Sequence, residues 1–305
     1  MFENIKGNDF AKELLKNELK QKKQAGTYLF YGRKGADLFE FALAFSKGLN
    51  CQELENDFCD TCRICNNIDK KIYSDLHILS GIESTIKIDA VRTLIKDACE
   101  STYEGHSKVF IIEGINKLRK ESANALLKII EEPPKNTYFI LLSYSDNILA
   151  TIKSRSISLE IKCLNHKELD VSKEVYNFFL GNTVDIKEFK KSNLKIDDDS
   201  TYKDLTIYVE NYLENKLLEN KIKIFNCIED FVKNFYFINE TEKIKLAESL
   251  DNLIGKDREF LEEFLYFFIF KMNNKKNLEK LLKIKEAIHY NVGTNLCLVN
   301  FFLNL

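Results

Sequence analysis

The sequence predicts an α/β unit with a mainly parallel sheet up to about Ile161, followed by an all-α half. Two observations carry that reading. Short apolar runs alternate with segments of helical period through the first part, and beyond Ile161 the strand-like runs stop while long, charged, helix-period segments continue.

The elements follow in order. From Asn8 to about Gln24, Phe10, Ala11, Leu14, Leu15 and Leu19 recur at helical spacing, and Gly26 is expected to end that helix. Tyr28–Tyr31, Leu76–Leu79, Val109–Ile112, Tyr138–Leu142 and Ile157–Ile161 read as strands. Ala36–Leu49, Ile88–Ser101, Lys120–Glu131 and Ile148–Ser154 read as the helices between them. Such alternation builds βαβ units on a parallel sheet, whose ligands bind outside the carboxyl ends of the strands. In the second half an acidic break, Asp197-Asp198-Asp199-Ser200, precedes two apolar stripes. One is Phe225, Ile228, Phe231, Val232 and Phe235; the other is Phe260, Leu261, Phe264, Leu265, Phe267 and Phe268. Both read as packed helical core.

With 305 residues, 45% hydrophobic and 12% aromatic, the chain can build cores for about two or three domains. A net charge of −2 supplies no global basic field, so any nucleic-acid contact is local or shared with partners. The opening MFENIKGNDFAKELL holds no apolar signal core, and no run approaches the roughly 20 apolar residues of a spanning helix. A cytoplasmic location is the expectation.

YGRKGADLFEFA, Tyr31 to Ala42, sits where a strand hands over to a helix, the place of a phosphate-binding loop. A working loop reads G-x-x-x-x-G-K-[ST], with the lysine on the phosphates and the hydroxyl on Mg²⁺. Here Gly32, Arg33, Lys34 and Gly35 begin the loop, but Asp37, Leu38 and Phe39 stand where Gly-Lys-Thr belongs. A second element is altered in parallel. The strand Val109–Ile112 ends on Glu113 and Gly114, where a nucleotide-hydrolysing site carries two acidic residues, one for Mg²⁺ and one to polarise water.

Cys51, Cys59, Cys62 and Cys65 form a C-x₇-C-x₂-C-x₂-C array in one short loop. The x₂ spacings let thiolates share one tetrahedral Zn²⁺, and a four-sulfur shell leaves no position for catalysis. An iron–sulfur cluster is the next candidate; a disulfide pair fits a reducing cytoplasm poorly. Cys99, Cys163, Cys227 and Cys297 read as buried small hydrophobes, and His77, inside an apolar run, as structural. Ser154-Arg155-Ser156 follows a short helix and precedes the last strand. An isolated arginine there is a surface charge; presented at a domain edge, its planar guanidinium can neutralise phosphoryl charge in a neighbour's site.

Together YLFYGRKG, the four-cysteine insert after KGLNC, NALLKIIEEPP, FILLSYSD and IKSRS resemble the clamp-loader branch of the AAA+ family, in order, over nearly all of the α/β half. The C-terminal HYNVGTNLCLVNFFLNL, with Asn291 and Asn295 ahead of a final apolar helix, resembles the collar that holds such subunits in a ring. The resemblance implies a RecA-like AAA+ domain over 1–162 with a zinc insert at 51–65, a small helical lid over 163–203 and a helical collar over 204–305. Within the branch, the combination is similar to the non-hydrolysing stator subunit rather than to the tau/gamma motor. It implies structural Zn²⁺ on the four cysteines, no ATP hydrolysis by the chain's own site, and Arg155 acting on a neighbour's ATP. Ser156 stands where the family usually has Cys, a position that does not touch phosphate. The implied partners are tau/gamma and delta clamp-loader subunits, with the sliding clamp and primer-template DNA reached through the assembled complex. The alternatives are a tau/gamma-like nucleotide-binding ATPase and a stand-alone zinc-containing DNA-binding protein using Arg63, Lys70 and Lys71; a near-neutral charge balance speaks against the latter.

Overall fold

The computed structural model describes every residue except 82–85, 105, 146–147, 197–198, 273–277 and 289–291. The chain divides into two compact units: Met1–Tyr176 with Gly181–Ile186, and Asn177–Leu180 with Lys187–Leu305. The division therefore falls inside the segment 163–203.

In the first unit, β1 (Ala25–Tyr31), β2 (Leu76–Ser80), β3 (Lys108–Glu113), β4 (Thr137–Ser143) and β5 (Ile157–Glu160) form one sheet in the order β2-β3-β4-β1-β5. Every pairing in it is parallel. The helices are α1 (Asp9–Lys20), α2 (Leu38–Asn50), α3 (Arg63–Asp69), α4 (Ile88–Ala98), α5 (Lys120–Glu131), α6 (Ala150–Lys153) and α7 (His166–Leu169), while α8 (Lys173–Phe178) and α9 (Thr183–Lys191) each straddle the division between the units. Side-chain alternation along β1 sends Phe30 into one core with Leu15 of α1 and Phe41 and Phe45 of α2. Its neighbour Leu29 enters a second core with Val91 and Leu94 of α4 and Leu126 and Ile130 of α5. Helices thus cover both faces, which is why β3 and β4 are buried along their whole length and carry unbroken apolar runs, Val109–Ile112 and Tyr138–Leu142, between polar ends.

Three expectations are corrected in this unit. Helix α1 stops at Lys20, the chain turns through Lys22 at φ 46°, and Gly26 lies inside β1, paired with Tyr138. The intervening Gln21 to Gln24 carry no apolar face to bury, so helix there gains nothing from packing. Phe10 is 75% exposed, because the buried face of α1 is the i, i+4, i+8 row Ala11, Leu15, Leu19. Cys99, the C-cap of α4, is exposed rather than buried, and Cys163 is half-buried; Cys227 and Cys297 are buried as expected. His77 stacks on Phe110 at 4.6 Å, and its Nε2 has no hydrogen-bond partner among the described residues.

Among the described residues the elements of the second unit beyond α9 are all helical, the long ones being α10 (Leu205–Asn215), α11 (Leu218–Asn234), α12 (Glu240–Ile254), α13 (Arg258–Lys271), α14 (Leu278–Ala287) and α15 (Thr294–Asn304). The two phenylalanine stripes meet. Phe225 of α11 stacks on Phe267 of α13 with centroids 3.6 Å apart, and Phe231 meets Phe268 and Phe302 edge-on. Each ring fully buried in this way is worth about 1.5–3 kcal/mol. Val232 and Phe235, at the end of the first stripe, are half-buried. Asn295 lies within α15 rather than ahead of it, while Asn291, Asp197 and Asp198 lie outside the described residues.

Candidate functional site

The loop Gly32–Asp37 leaves the carboxyl end of β1 and enters α2. The Gly32 N–H donates to the Ser143 carbonyl at 3.1 Å, and a Cβ on Gly32 would stand 2.2 Å from the Ile161 carbonyl oxygen. Gly35 takes φ +91°, and its carbonyl accepts from the Thr183 N–H at 2.9 Å. A Cβ on Gly35 would lie 2.9 Å from the Asn182 Cα, so a side chain is excluded both by conformation and by space. Asn182 and Thr183 are themselves fixed. The Asn182 side chain accepts from the Asp185 N–H at 3.1 Å, and the Thr183 hydroxyl accepts from the Leu164 N–H at 2.9 Å. A strap from a distant part of the chain thus lies directly on the loop.

At the start of α2 the side chains turn to the protein, while Arg33 and Lys34 of the loop stay exposed. Asp37 is the N-cap of α2, and its carboxylate accepts from the Glu40 N–H at 3.2 Å. That positive helix end is what a phosphate would use, and a built-in anion satisfies it instead. Leu38 is fully buried, and Phe39 lies under the Lys71 ammonium, 4.5 Å from its ring centroid. Arg33 faces Cys163 and Tyr176; the hydrogen bond to the Cys163 thiol leads in holding the guanidinium above its ordinary pKa, against the opposing effect of burial. The Cys163 thiol in turn reaches the Lys34 carbonyl at 3.9 Å. Beside the loop a cleft of about 460 Å³ is lined in part by Arg33, Lys34, Tyr144, Glu160 and Lys162.

At the end of β3, Glu113 is buried, and burial pushes its carboxyl above the usual range although Ser80 and Lys71 pull the other way. Gly114 turns at φ +71° with the Gly81 carbonyl oxygen 3.0 Å from where a Cβ would be. An acidic residue there would be strained by its backbone and crowded by Gly81. Burial above all, then the carboxylates of Glu113 and Asp37, raises the Tyr144 phenol, so two acidic groups already share this corner.

The opposite end of α2 runs into the cysteine loop, with Cys51 as its C-cap. The sulfurs of Cys51, Cys59, Cys62 and Cys65 all lie within 4.8 Å of one another, Cys59 and Cys65 at 4.0 Å. A tetrahedral zinc at about 2.3 Å from each sulfur sets S···S near 3.8 Å, so the four donors fit such an ion with a small contraction. The Cys59 sulfur also accepts N–H bonds from Thr61 (3.4 Å) and Cys62 (3.2 Å), and the Cys62 sulfur accepts from Cys65 (3.4 Å). Burial opposes ionisation of Cys59, but hydrogen bonds from the Thr61 side chain and from the Cys62 and Thr61 backbone outweigh it and bring the thiol to about 6; for Cys65 burial prevails and pushes the thiol up. Lys47 of α2 anchors the loop through Asp60 (2.5 Å) and Asp69 (2.9 Å), with Phe58 at 4.4 Å.

Arg155 lies between α6 and β5. Ser154 and Ser156 donate their hydroxyls to the Thr151 (3.2 Å) and Ile152 (2.8 Å) carbonyls, so both serines close the short helix. The arginine is paired within the chain. Its Nε meets Glu131 at 2.7 Å, its Nη1 donates to the Thr151 carbonyl at 3.1 Å, and its side chain is 31% exposed. Sequence reasoning missed Glu131, Asn182, Thr183 and the capping role of Asp37. Only Asp37 had a local signal, the D-x-x-E start of a helix before an apolar run.

A parallel sheet with a glycine loop at the end of β1, an acidic strand end at β3 and helices on both faces defines the α/β fold of P-loop and AAA+ nucleotide hydrolases. The sequence model of the family described as "DNA polymerase III, delta subunit" matches residues 7–165, and the chain belongs to that family. A DNA polymerase III subunit delta′ of Bacillus subtilis is 31% identical over 52% of this chain and 48% of its own length. Another, of Buchnera aphidicola subsp. Schizaphis graminum, is 26% identical over 70% of this chain and 63% of its own. The chain thus spans about half to under two thirds of these relatives. A DNA polymerase III gamma subunit-related protein from Thermotoga maritima shares the fold, at a TM-score of 0.64 and 18% identity over 96% of this chain and 97% of that one. Among the described residues no helix is long and apolar enough to cross a membrane.

Proposed function

We propose that the chain works as the non-hydrolysing, stator-type delta-prime subunit of a bacterial clamp loader in the cytoplasm. The observation that carries this reading is the filled nucleotide loop. Asp37 occupies the anion end of α2, Leu38 and Phe39 stand where the lysine and the hydroxyl belong, and the Asn182–Thr183 strap packs on Gly35. A fold kept without its phosphate ligands serves as a rigid partner. Its neighbours are tau/gamma and delta subunits, and it meets the sliding clamp and primer-template DNA through the assembled ring. Arg155 would stabilise phosphoryl charge on the ATP of an adjacent motor subunit. Cys51, Cys59, Cys62 and Cys65 would hold one structural Zn²⁺, which supplies a cross-link and no chemistry.

The test is reconstitution with tau/gamma and delta homologues. The chain alone is expected to hydrolyse no ATP. An arginine acting in trans is worth roughly 10³–10⁵ in rate at the site it serves, so Arg155→Ala is expected to remove that site's share of DNA-stimulated turnover. Arg155→Lys rescues poorly, because an ammonium lacks the two-pronged planar donor. Turnover by the purified chain, or equal rates for wild-type and Arg155→Ala rings of equal occupancy, would defeat the reading.

A further inference from the structure

Glu131 is the last residue of α5, followed by Glu132 and the helix-stopping Pro133-Pro134. A carboxylate at a helix C-terminus faces the negative end of the helix dipole, so Glu131 does not serve its own helix. What it meets is Arg155, at 2.7 Å on Nε. The Thr151 carbonyl takes Nη1 at 3.1 Å. The two contacts approach the guanidinium from different elements, one from α5 and one from α6, and fix its plane. Among the described residues Nη2 has no partner.

We propose that Glu131 is a positioning residue for Arg155. Together with the Thr151 carbonyl it orients the guanidinium so that the Nη2 edge is left to take an anionic ligand, the phosphoryl oxygens of a nucleotide on a neighbouring subunit. The inference rests on the in-trans reading of Arg155 and adds the residue that aims it. A flexible arginine would have to be ordered at each encounter; one gripped at Nε and Nη1 arrives oriented.

The experiment is a double-mutant cycle in the reconstituted ring, with Glu131→Ala, Glu131→Gln, Arg155→Ala and the Glu131→Ala/Arg155→Ala pair. Misplacing a catalytic group can cost up to roughly 10²-fold, so Glu131→Ala is expected to lower kcat at the served site by roughly three- to tenfold with KM for ATP unchanged. Glu131→Gln keeps an acceptor oxygen and recovers part of the loss. In the Arg155→Ala background Glu131→Ala adds nothing. On the chain alone, solvent exchange of the Arg155 Nε proton, followed by NMR, speeds up in Glu131→Ala. A wild-type rate for Glu131→Ala, or the same loss with and without Arg155, overturns the inference while leaving the arginine reading intact. A wild-type rate for Arg155→Ala overturns the arginine reading, and this inference falls with it.

Discussion

The two ends of α2 treat ligands in opposite ways. At the N-terminal end the chain satisfies one of its orphan N–H groups, that of Glu40, with Asp37, buries Leu38 and closes over Gly35 with a strap. At the C-terminal end it gathers four sulfurs within 4.8 Å of one another and gives two of them, Cys59 and Cys62, backbone N–H donors. A site is closed when the protein's own groups complete the coordination. It stays open to a ligand when they supply only one sign of charge.

The largest expected effect tests the open end. Freshly prepared protein is expected to carry one zinc per chain by elemental analysis, and Cys59→Ser or chelation to remove it. Structural zinc contributes about 10–16 kcal/mol in small zinc peptides, so its loss is expected to abolish hydrogen-exchange protection over the cysteine loop and α3 while the sheet stays protected. Metal-free protein with an ordered loop would erase the contrast between the two ends.

Next in size is the tie between that loop and α2. Lys47→Met keeps the aliphatic bulk and removes the partner of Asp60 and Asp69. Hydrogen bonds to charged groups are worth about 1.5–3 kcal/mol, and a loss of that order in denaturant unfolding is expected. No loss would mean that the cysteine loop is held by its metal alone.

Asp37→Ala probes the closed end. Loss of an N-cap costs about 0.5–2 kcal/mol, and ATP affinity by calorimetry is expected to stay undetectable, because Leu38 and Phe39 remain. Affinity gained by this single change would sharpen the comparison, assigning closure to the carboxylate alone.

The smallest effect is a pH dependence from Glu113. Its folded pKa is raised by burial, so the folded chain holds the proton more tightly than the unfolded one. The stability it contributes is fully present below the ordinary carboxylate value of about 4.3 and is lost as pH rises through the folded pKa. Melting temperatures of wild type and Glu113→Gln, compared from acid to neutral pH, are expected to diverge with wild type falling further. Parallel curves would remove Glu113 from the closed corner.

Much of this was legible in residue order. Each of the five strands contains an apolar run, the two central ones β3 and β4 being buried along their whole length, and the cysteine spacing is a local pattern; these signals are short-range, and all five strands formed at the expected runs, whereas α1 ended early and Gly26 entered β1. That Asp37, Leu38 and Phe39 stand in place of Gly-Lys-Thr, and Gly114 in place of the second acidic residue, are equally local facts. What only the tertiary structure decided depends on contacts between residues far apart in the chain. Asn182 rests on Gly35, Glu131 grips Arg155, Lys47 reaches Asp60 and Asp69, and Gly114 is demanded by the Gly81 carbonyl. Each joins two segments that carry no pattern naming the other. Their energies arise from proximity that chain folding creates, and a single sequence records proximity only along its own length.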